Sequence, residues 1–457
     1  MAVRGAFGIF HDRVFGNLFG NARGNPPFEV DYNEFPVDTI NGFYGGVLNG
    51  DFPLPTPPQQ PVTNVFEDGA AIAPTLFDPH FRNSVSNNWN FGIQRELFGN
   101  NVLDLAYVGS QGHHIYQIVD PNSPDPALVQ QLLAFCVPTN PDNNGFTSLS
   151  GQCSADDVSF TNLYRGVDFG ALPFNAVAHN TLVQPFFSAS GGNSLYNSLQ
   201  LKVTHRLSHG LQVQGAYTWS HAIDNANDPY APAVGNRAFA RNSRKLNEER
   251  GNSDNDIRHV AVISYFWEVP FGKGKRFLNS GFVGKVFEGW QFSGITSAQT
   301  GHPFDVFTST DMERTGLSGR ADIVGDPYAP GANNNVTAGG NKVWFTNPAA
   351  FSDRTDGSGA PFFDAPGSSG RNNFYGPGFV NFDMVWAKTT KITERFNAEL
   401  RVECYNIFNH PHFENPGFDL NSNRTTASNF GMINATSTRP DGTTSARQFQ
   451  VALKLNF

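Results

Sequence analysis

Nothing in the 457-residue chain reads as a membrane-crossing helix: mean hydropathy is −0.35, and no apolar run approaches the length of about eighteen residues that such a span needs. Strands are not excluded by this, because an alternating strand averages to near-neutral hydropathy. Charge is scarce, with Asp, Glu, Lys and Arg making up 16% of the chain against roughly 25% in ordinary soluble domains. There is no basic excess either. The formal net charge is −9 and the pI near 5.7, which argues against a general nucleic-acid binder, since that needs a basic face.

Signatures of catalysis are missing too. No Gly-x-Ser-x-Gly elbow, Walker loop, dinucleotide fingerprint or His-Glu-x-x-His helix occurs. His113-His114 and His410-Pro411-His412 are the densest histidine groups, but no Cys, His or Asp accompanies them at ligand spacing, so no metal is expected there. Asp254 and Asp256 flank Asn255 without the Gly and distal Glu of an EF-hand, and a solvated loop is the expectation. Glu248-Glu249 are adjacent, and on an extended chain they point opposite ways rather than working as a pair. The chain is therefore read as no enzyme, with no cofactor.

Cysteine is limited to Cys136, Cys153 and Cys404. The first two share one loop-like region, either as a disulfide in an oxidising compartment or as two unpaired thiols. Cys404 shares parity with Leu400 and Val402, as a small buried or lipid-facing residue would. The opening MAVRGAFGIF has one Arg and no continuous apolar core, unlike a secretory signal, so a fragment or a misplaced start is expected.

What the chain has in quantity is Phe (43), Gly (46) and Pro (30), with abundant Asn, a composition of many turns and long loops. Its last ten residues, QFQVALKLNF, alternate strictly. Phe449, Val451, Leu453, Leu455 and Phe457 fall on one parity, and Gln448, Gln450, Ala452, Lys454 and Asn456 on the other. About ten residues is also what a tilted strand needs to cross a bilayer core. An amphipathic strand on a soluble sheet would show the same period, so the rest of the chain has to decide.

Nine further strands follow from the same pattern. Val3 to Ile9 alternate first; Trp89, Phe91 and Ile93 mark the second strand, from about 86 to 96. Leu103, Leu105 and Tyr107 mark the third, and Leu199, Leu201 and Val203 the fourth. Leu211, Val213, Tyr217 and Trp219 mark the fifth. In the sixth both parities are apolar, with Ile263, Tyr265, Trp267 and Val269 placed outward. Trp290 and Phe292, then Phe382, Met384 and Trp386, then Phe396, Ala398, Leu400 and Val402 mark the remaining three. Long loops are expected at about 15–81, 111–193, 224–256, 301–378 and 409–445, and shorter turns between them.

That alternation of long and short connections predicts an all-β, antiparallel transmembrane β-barrel, with long extracellular loops and short periplasmic turns. A soluble sandwich would carry turn signals every 8–12 residues or so. Five of the six tryptophans, Trp89, Trp219, Trp267, Trp290 and Trp386, lie on apolar parities, as an aromatic girdle would place them. Lys202, Arg206, Asp104, Glu399, Arg401 and Glu403 lie on the polar parities, where a barrel has its lumen. Both signs are present, so no ion selectivity follows.

Several stretches together resemble the C-terminal barrel portion of TonB-dependent receptors, specifically the Oar-like group with a carboxypeptidase-regulatory-like domain. They include VRGAFGIFHDRV, SNNWNFGIQREL, LDLAYVGSQGHH, YNSLQLKVTHRLSHGLQVQGAYTWSHAID, DIRHVAVISYFWEVPFGKGK, GRNNFYGPGFVNFDM, RFNAELRVECYNIFNHPHF and ARQFQVALKLNF. The resemblance implies about ten strands of a barrel of about 22, a plug and an inner-membrane energy complex as partners, and an unknown ligand on the outer loops. It also implies a terminal strand, Phe449 to Phe457, that the barrel-assembly machinery reads while outer-membrane lipid covers it. A passive porin-like channel and a secreted adhesin or carbohydrate-binding β-protein are the alternative readings.

Overall fold

The computed structural model describes residues 1–13, 75–119, 186–226, 245–308 apart from 273, 274 and 279, 319–329, 342–352, 367–420 apart from 394 and 395, 430–437 and 445–456, with the single positions 16, 240 and 243. Among them, ten long strands share one sheet: β1 (Ala2–His11), β2 (Val85–Leu97), β3 (Asn101–Val119), β4 (Phe186–Ser208), β5 (Leu211–Asp224), β6 (His259–Glu268), β7 (Trp290–Gln299), β8 (Phe379–Lys391), β9 (Asn397–Tyr405) and β10 (Gln448–Asn456). Each is antiparallel to the next, so the chain runs as a meander. β1 and β10 end the path, and no ladder joins them among the described residues. The barrel wall is partial and open.

Connections at one end are tight for stated reasons. Gly99 and Asn100, between β2 and β3, both take positive φ (70° and 62°), and so do His209 and Gly210 between β4 and β5 (53° and 83°). Two successive left-handed residues twist a hairpin turn in the same sense as its strands, which is why Gly and Asn are favoured there. The β8–β9 turn closes through Ile392 N donating to Phe396 O at 2.9 Å. The β6–β7 connection carries a short helix, Gly281–Phe287, that the alternating pattern does not signal. Its Phe282 is 80% exposed.

Antiparallel partners share a face, so the register tests the parities directly. Phe91, Tyr107, Leu199 and Trp219 are successive partners across β2 to β5. Trp267, Phe292, Trp386, Val402 and Val451 continue that face across β6 to β10. The result is one continuous apolar face, largely exposed in the isolated chain. The other face is mainly polar: Gln94, Asp104, Lys202 and Ala216 are partners across four strands. Charges there pair along strands as well as between them. Arg401 Nε lies 2.5 Å from Glu403, and Arg206 3.2 Å from Glu96.

Several boundaries and placements differ from expectation. β3 runs on to Val119 and β4 starts at Phe186, although loops were expected from 111 to 193. Register shifts at His113, Ile115 and Gln117, with His114 at φ 55°, absorb the lost alternation and let the pair continue. Thr75–Phe77 adds a parallel strand beside Phe186–Ser188. Val269, placed outward above, is buried just past the end of β6, where its N donates to Trp290 O. Phe396 lies in the turn before β9 rather than on it.

Candidate ligand-facing end

The connections between β7 and β8 and between β9 and β10 fold onto each other at the end away from the tight turns. Three two-residue ladders stitch them: Pro303–Phe304 with Phe374–Tyr375, Asp322–Ile323 with Phe351–Ser352, and Lys342–Val343 with Met432–Ile433. Inside lies an apolar core of Phe304, Val306, Ala321, Phe345, Phe351, Phe374, Leu420 and Phe430. The Phe345 ring is 4.8 Å from Phe351 and 5.3 Å from Phe374, tilted or edge-on in each case. Such aromatic contacts contribute about 0.5–1.5 kcal/mol each beyond area burial. Gly301 lets two backbones meet: a Cβ there would lie 1.9 Å from Gly376 O.

Buried charges tie this cap to the strands. Arg320 donates to Glu249 Oε2 at 2.8 Å, with side chains 3% and 0% exposed, and lies 3.9 Å from Asp305. Arg371 pairs with Asp224 at the end of β5 and donates to Glu249 O at 3.3 Å. Burial disfavours the Arg371 charge, but the facing carboxylates of Asp224, Asp254 and Glu249 outweigh it and raise its pKa above the ordinary value. Asn372 donates from its backbone to Asp305 Oδ1 and from its amide to Asp254 Oδ1 at 2.6 Å.

Asp256 is the second anchor. Its Oδ1 accepts from Ala222 N at 2.7 Å, and its Oδ2 accepts from Tyr375 OH at 2.6 Å and from Arg258 Nε at 2.8 Å. Burial first, then the bond to Asp256, raises the Tyr375 pKa, with Arg258 opposing. The solvated-loop expectation for Asp254 and Asp256 is thus corrected: Asp256 is 1% exposed because it joins β5 to the cap. The extended-chain expectation for Glu248-Glu249 is corrected as well. They sit in a 3-10 turn, Leu246–Glu249, with Glu248 on Lys245 at 3.5 Å and Glu249 buried on Arg320.

A groove of about 960 Å³ opens beside Tyr375, between Arg258, Lys342, Trp344, Phe382 and His410. Aromatic and basic side chains converge there. No cluster of three or more metal-ligating side chains occurs among the described residues.

The predicted residues fall as follows. Phe449, Val451, Leu453 and Leu455 are each 59–68% exposed on the apolar face of β10, opposite Cys404, Val402, Leu400 and Ala398. Phe457, Cys136 and Cys153 lie outside the described residues. Cys404 is fully buried with a free thiol. Trp89 covers its cross-strand partner Gly109, where a Cβ would be 2.3 Å from the indole. Trp219 lies opposite His259, the first residue of β6. Trp267, Trp290 and Trp386 sit at the tight-turn end, the first and last both partners of Phe292. Of the charges that hold the cap, Asp305, Arg320 and Arg371 were not singled out, and Glu249 was noted only as the neighbour of Glu248. Of these only Arg371 lies within a stretch quoted for the resemblance, GRNNFY with Tyr375, while Asp256 and Arg258 lie within DIRH.

An exposed apolar face, a polar reverse face and a meander with long connections at one end define a membrane-spanning β-barrel wall. The chain belongs to the outer membrane beta barrel domain family, whose model matches residues 1–450. It is an outer-membrane protein. No curated protein matches it. Among solved structures it is similar to the outer membrane transporter YddB from Escherichia coli, at 7% identity and TM-score 0.38, over 85% of this chain and 34% of that one. It is also similar to BauA, the ferric preacinetobactin receptor from Acinetobacter baumannii, at 9% identity and TM-score 0.35, over 82% and 30%. A third is the ferric-catecholate import receptor Fiu from E. coli, at 10% identity and TM-score 0.33, over 87% and 31%. The chain spans about a third of the length of these structures.

Proposed function

We propose that the chain is the C-terminal barrel portion of an Oar-like TonB-dependent receptor, for energy-coupled uptake or surface interaction. The observation that carries this is the folded cap. A passive pore needs no packed aromatic core on its loops, whereas a receptor needs a preformed surface on which a ligand can settle without ordering it first. In this reading the cap faces outward and the tight turns face the periplasm. The apolar face of β1 to β10 meets outer-membrane lipid, with Trp89 and Trp219 near one interface and Trp267, Trp290 and Trp386 near the other.

The two open edges extend the same reading. Unpaired edge groups are costly in hydrocarbon, so β1 and β10 take further strands as neighbours, toward a wall of about 22. The residues from Phe449 to Phe457 then serve both as a lipid-facing strand and as the signal for the barrel-assembly machinery. A plug and the TonB energy complex act from the remainder of the receptor.

Planar-bilayer recording on the refolded chain, beside boiled and unboiled gel migration in detergent, tests the reading. Dependence on detergent without a uniform unit conductance is expected. Reproducible unit channels would overturn it in favour of a passive pore, and solubility without detergent in favour of a secreted adhesin.

A further inference from the structure

The short helix between β6 and β7 turns its apolar side chains outward. Phe282, Val283, Val286 and Phe287 are all exposed. At 3.6 residues per turn they cover one arc of about 140°, with Gly284 buried on the far side and Lys285 on the polar remainder. The helix lies on the apolar side of the wall. Trp290 Nε1 donates to Val286 O at 3.0 Å, and Lys388 Nζ donates to the same oxygen at 2.7 Å. Trp290 and Lys388 are cross-strand partners, two residues from the Phe292–Trp386 pair of the apolar face. Phe271 joins the helix to the turn before it, with its ring edge-on to Phe287 and to Phe277, each at 6.2 Å. Phe277 and Leu278 are exposed as well.

Basic groups border this patch. Arg276 lies over the Phe277 ring at 5.3 Å, and Lys388 over the Trp290 ring at 5.6 Å. Lys275 pairs with Glu268 at 3.3 Å. Arg276 and Lys285 form no ion pair among the described residues.

We propose that this helix is an interfacial anchor that lies in the headgroup layer of an anionic phospholipid leaflet. Phe282 and Val286 enter the acyl region, and Arg276 and Lys285 each meet headgroup phosphates of the surrounding leaflet. Continuity with the wall and charge complementarity select this occupant. The bonds from Trp290 and Lys388 fix the helix against the apolar face, so a soluble partner covering the arc would have to displace lipid from the wall beside it. Cations at the edge of an apolar patch suit a surface whose hydrocarbon and negative charge lie in adjacent layers. A zwitterionic leaflet would cover Phe282 but leave Arg276 and Lys285 without counter-charge. The anchor differs from an aromatic girdle in that a segment of backbone, not only wall side chains, enters the interface. The inference rests on the orientation proposed above only for which leaflet is met, the periplasmic one.

The refolded chain carries an environment-sensitive fluorophore on a single cysteine, Phe282→Cys, in proteoliposomes of phosphatidylethanolamine and phosphatidylglycerol. Quenching by brominated lipid, with protection from aqueous iodide, is expected. Native mass spectrometry from neutral detergent should show phosphatidylglycerol retained over phosphatidylethanolamine. That preference should fall about tenfold in Arg276→Gln/Lys285→Gln and stay unchanged in Lys202→Gln on the polar face. Iodide quenching at position 282, equal retention of the two lipids, or an unaltered double variant would each overturn the proposal. An impermeant cysteine label on intact cells, at Tyr328→Cys in the cap, checks the orientation separately. An unlabelled cap together with a lipid-embedded helix would fail that reading while leaving the anchor standing.

Discussion

Removing the Glu249 carboxylate should loosen the cap and leave the strands intact. The partner, Arg320, has a side chain only 3% exposed. Breaking a buried ion pair from one side costs about 3–5 kcal/mol, because the remaining charge is left uncompensated. Asp305, 3.9 Å from Arg320, offsets part of this, so about 3 kcal/mol is the expected cost of Glu249→Ala. That amounts to more than about a hundredfold in the opening equilibrium of the cap. Hydrogen exchange by mass spectrometry in detergent would read it. Peptides over 300–308, 319–329 and 367–378 should lose protection, while those over β5 keep theirs. The double change Glu249→Leu/Arg320→Met should restore most of it, since apolar replacement of a buried pair is often neutral. An unchanged cap in Glu249→Ala, or a double variant as loose as the single, would refute the reasoning.

Leu453→Arg, on the apolar face in mid-β10, should destabilise the refolded protein by about 2–4 kcal/mol in urea titrations in lipid, and Lys454→Arg on the other face should have little effect. Gly109→Ala should displace the Trp89 indole and cost about 1–3 kcal/mol, visible as a smaller heat-modifiable fraction. Tyr375 has a folded-state pKa raised above 10.0. Its contribution is therefore complete below pH 10.0 and lost as pH rises through the folded value. The phenolate absorbance of wild type minus Tyr375→Phe should accordingly show a group titrating above pH 10.0, and a group titrating below it would contradict the anchor role.

The strands were legible because their signal is local. Leu199, Leu201 and Val203 declare a face without reference to any partner, and the register joins that face to those of β3 and β5. Where local alternation fails, so does the reading. Gly112-His113-His114 and Gly191-Gly192 carry no periodic signal, yet the backbone pairing of β3 and β4 continues there through irregular register. The cap was less legible still. Arg320 and Glu249 lie 71 residues apart, and Arg371 and Asp224 lie 147 apart. No window of sequence holds both halves of such a pair. In a loop rich in Gly and Asn, a lone Arg gives no sign of whether it is solvated or buried.

Contact of the apolar face with lipid can be read residue by residue. In β5, an interior strand with both neighbours present, single cysteines at Val213, Tyr217 and Trp219 and at Gln212, Gln214 and Thr218 would each carry an environment-sensitive fluorophore in proteoliposomes. Quenching by brominated lipid at the first three positions, and by aqueous iodide at the other three, is the predicted result. Quenching that does not alternate, or that alternates with the opposite phase, would contradict the account.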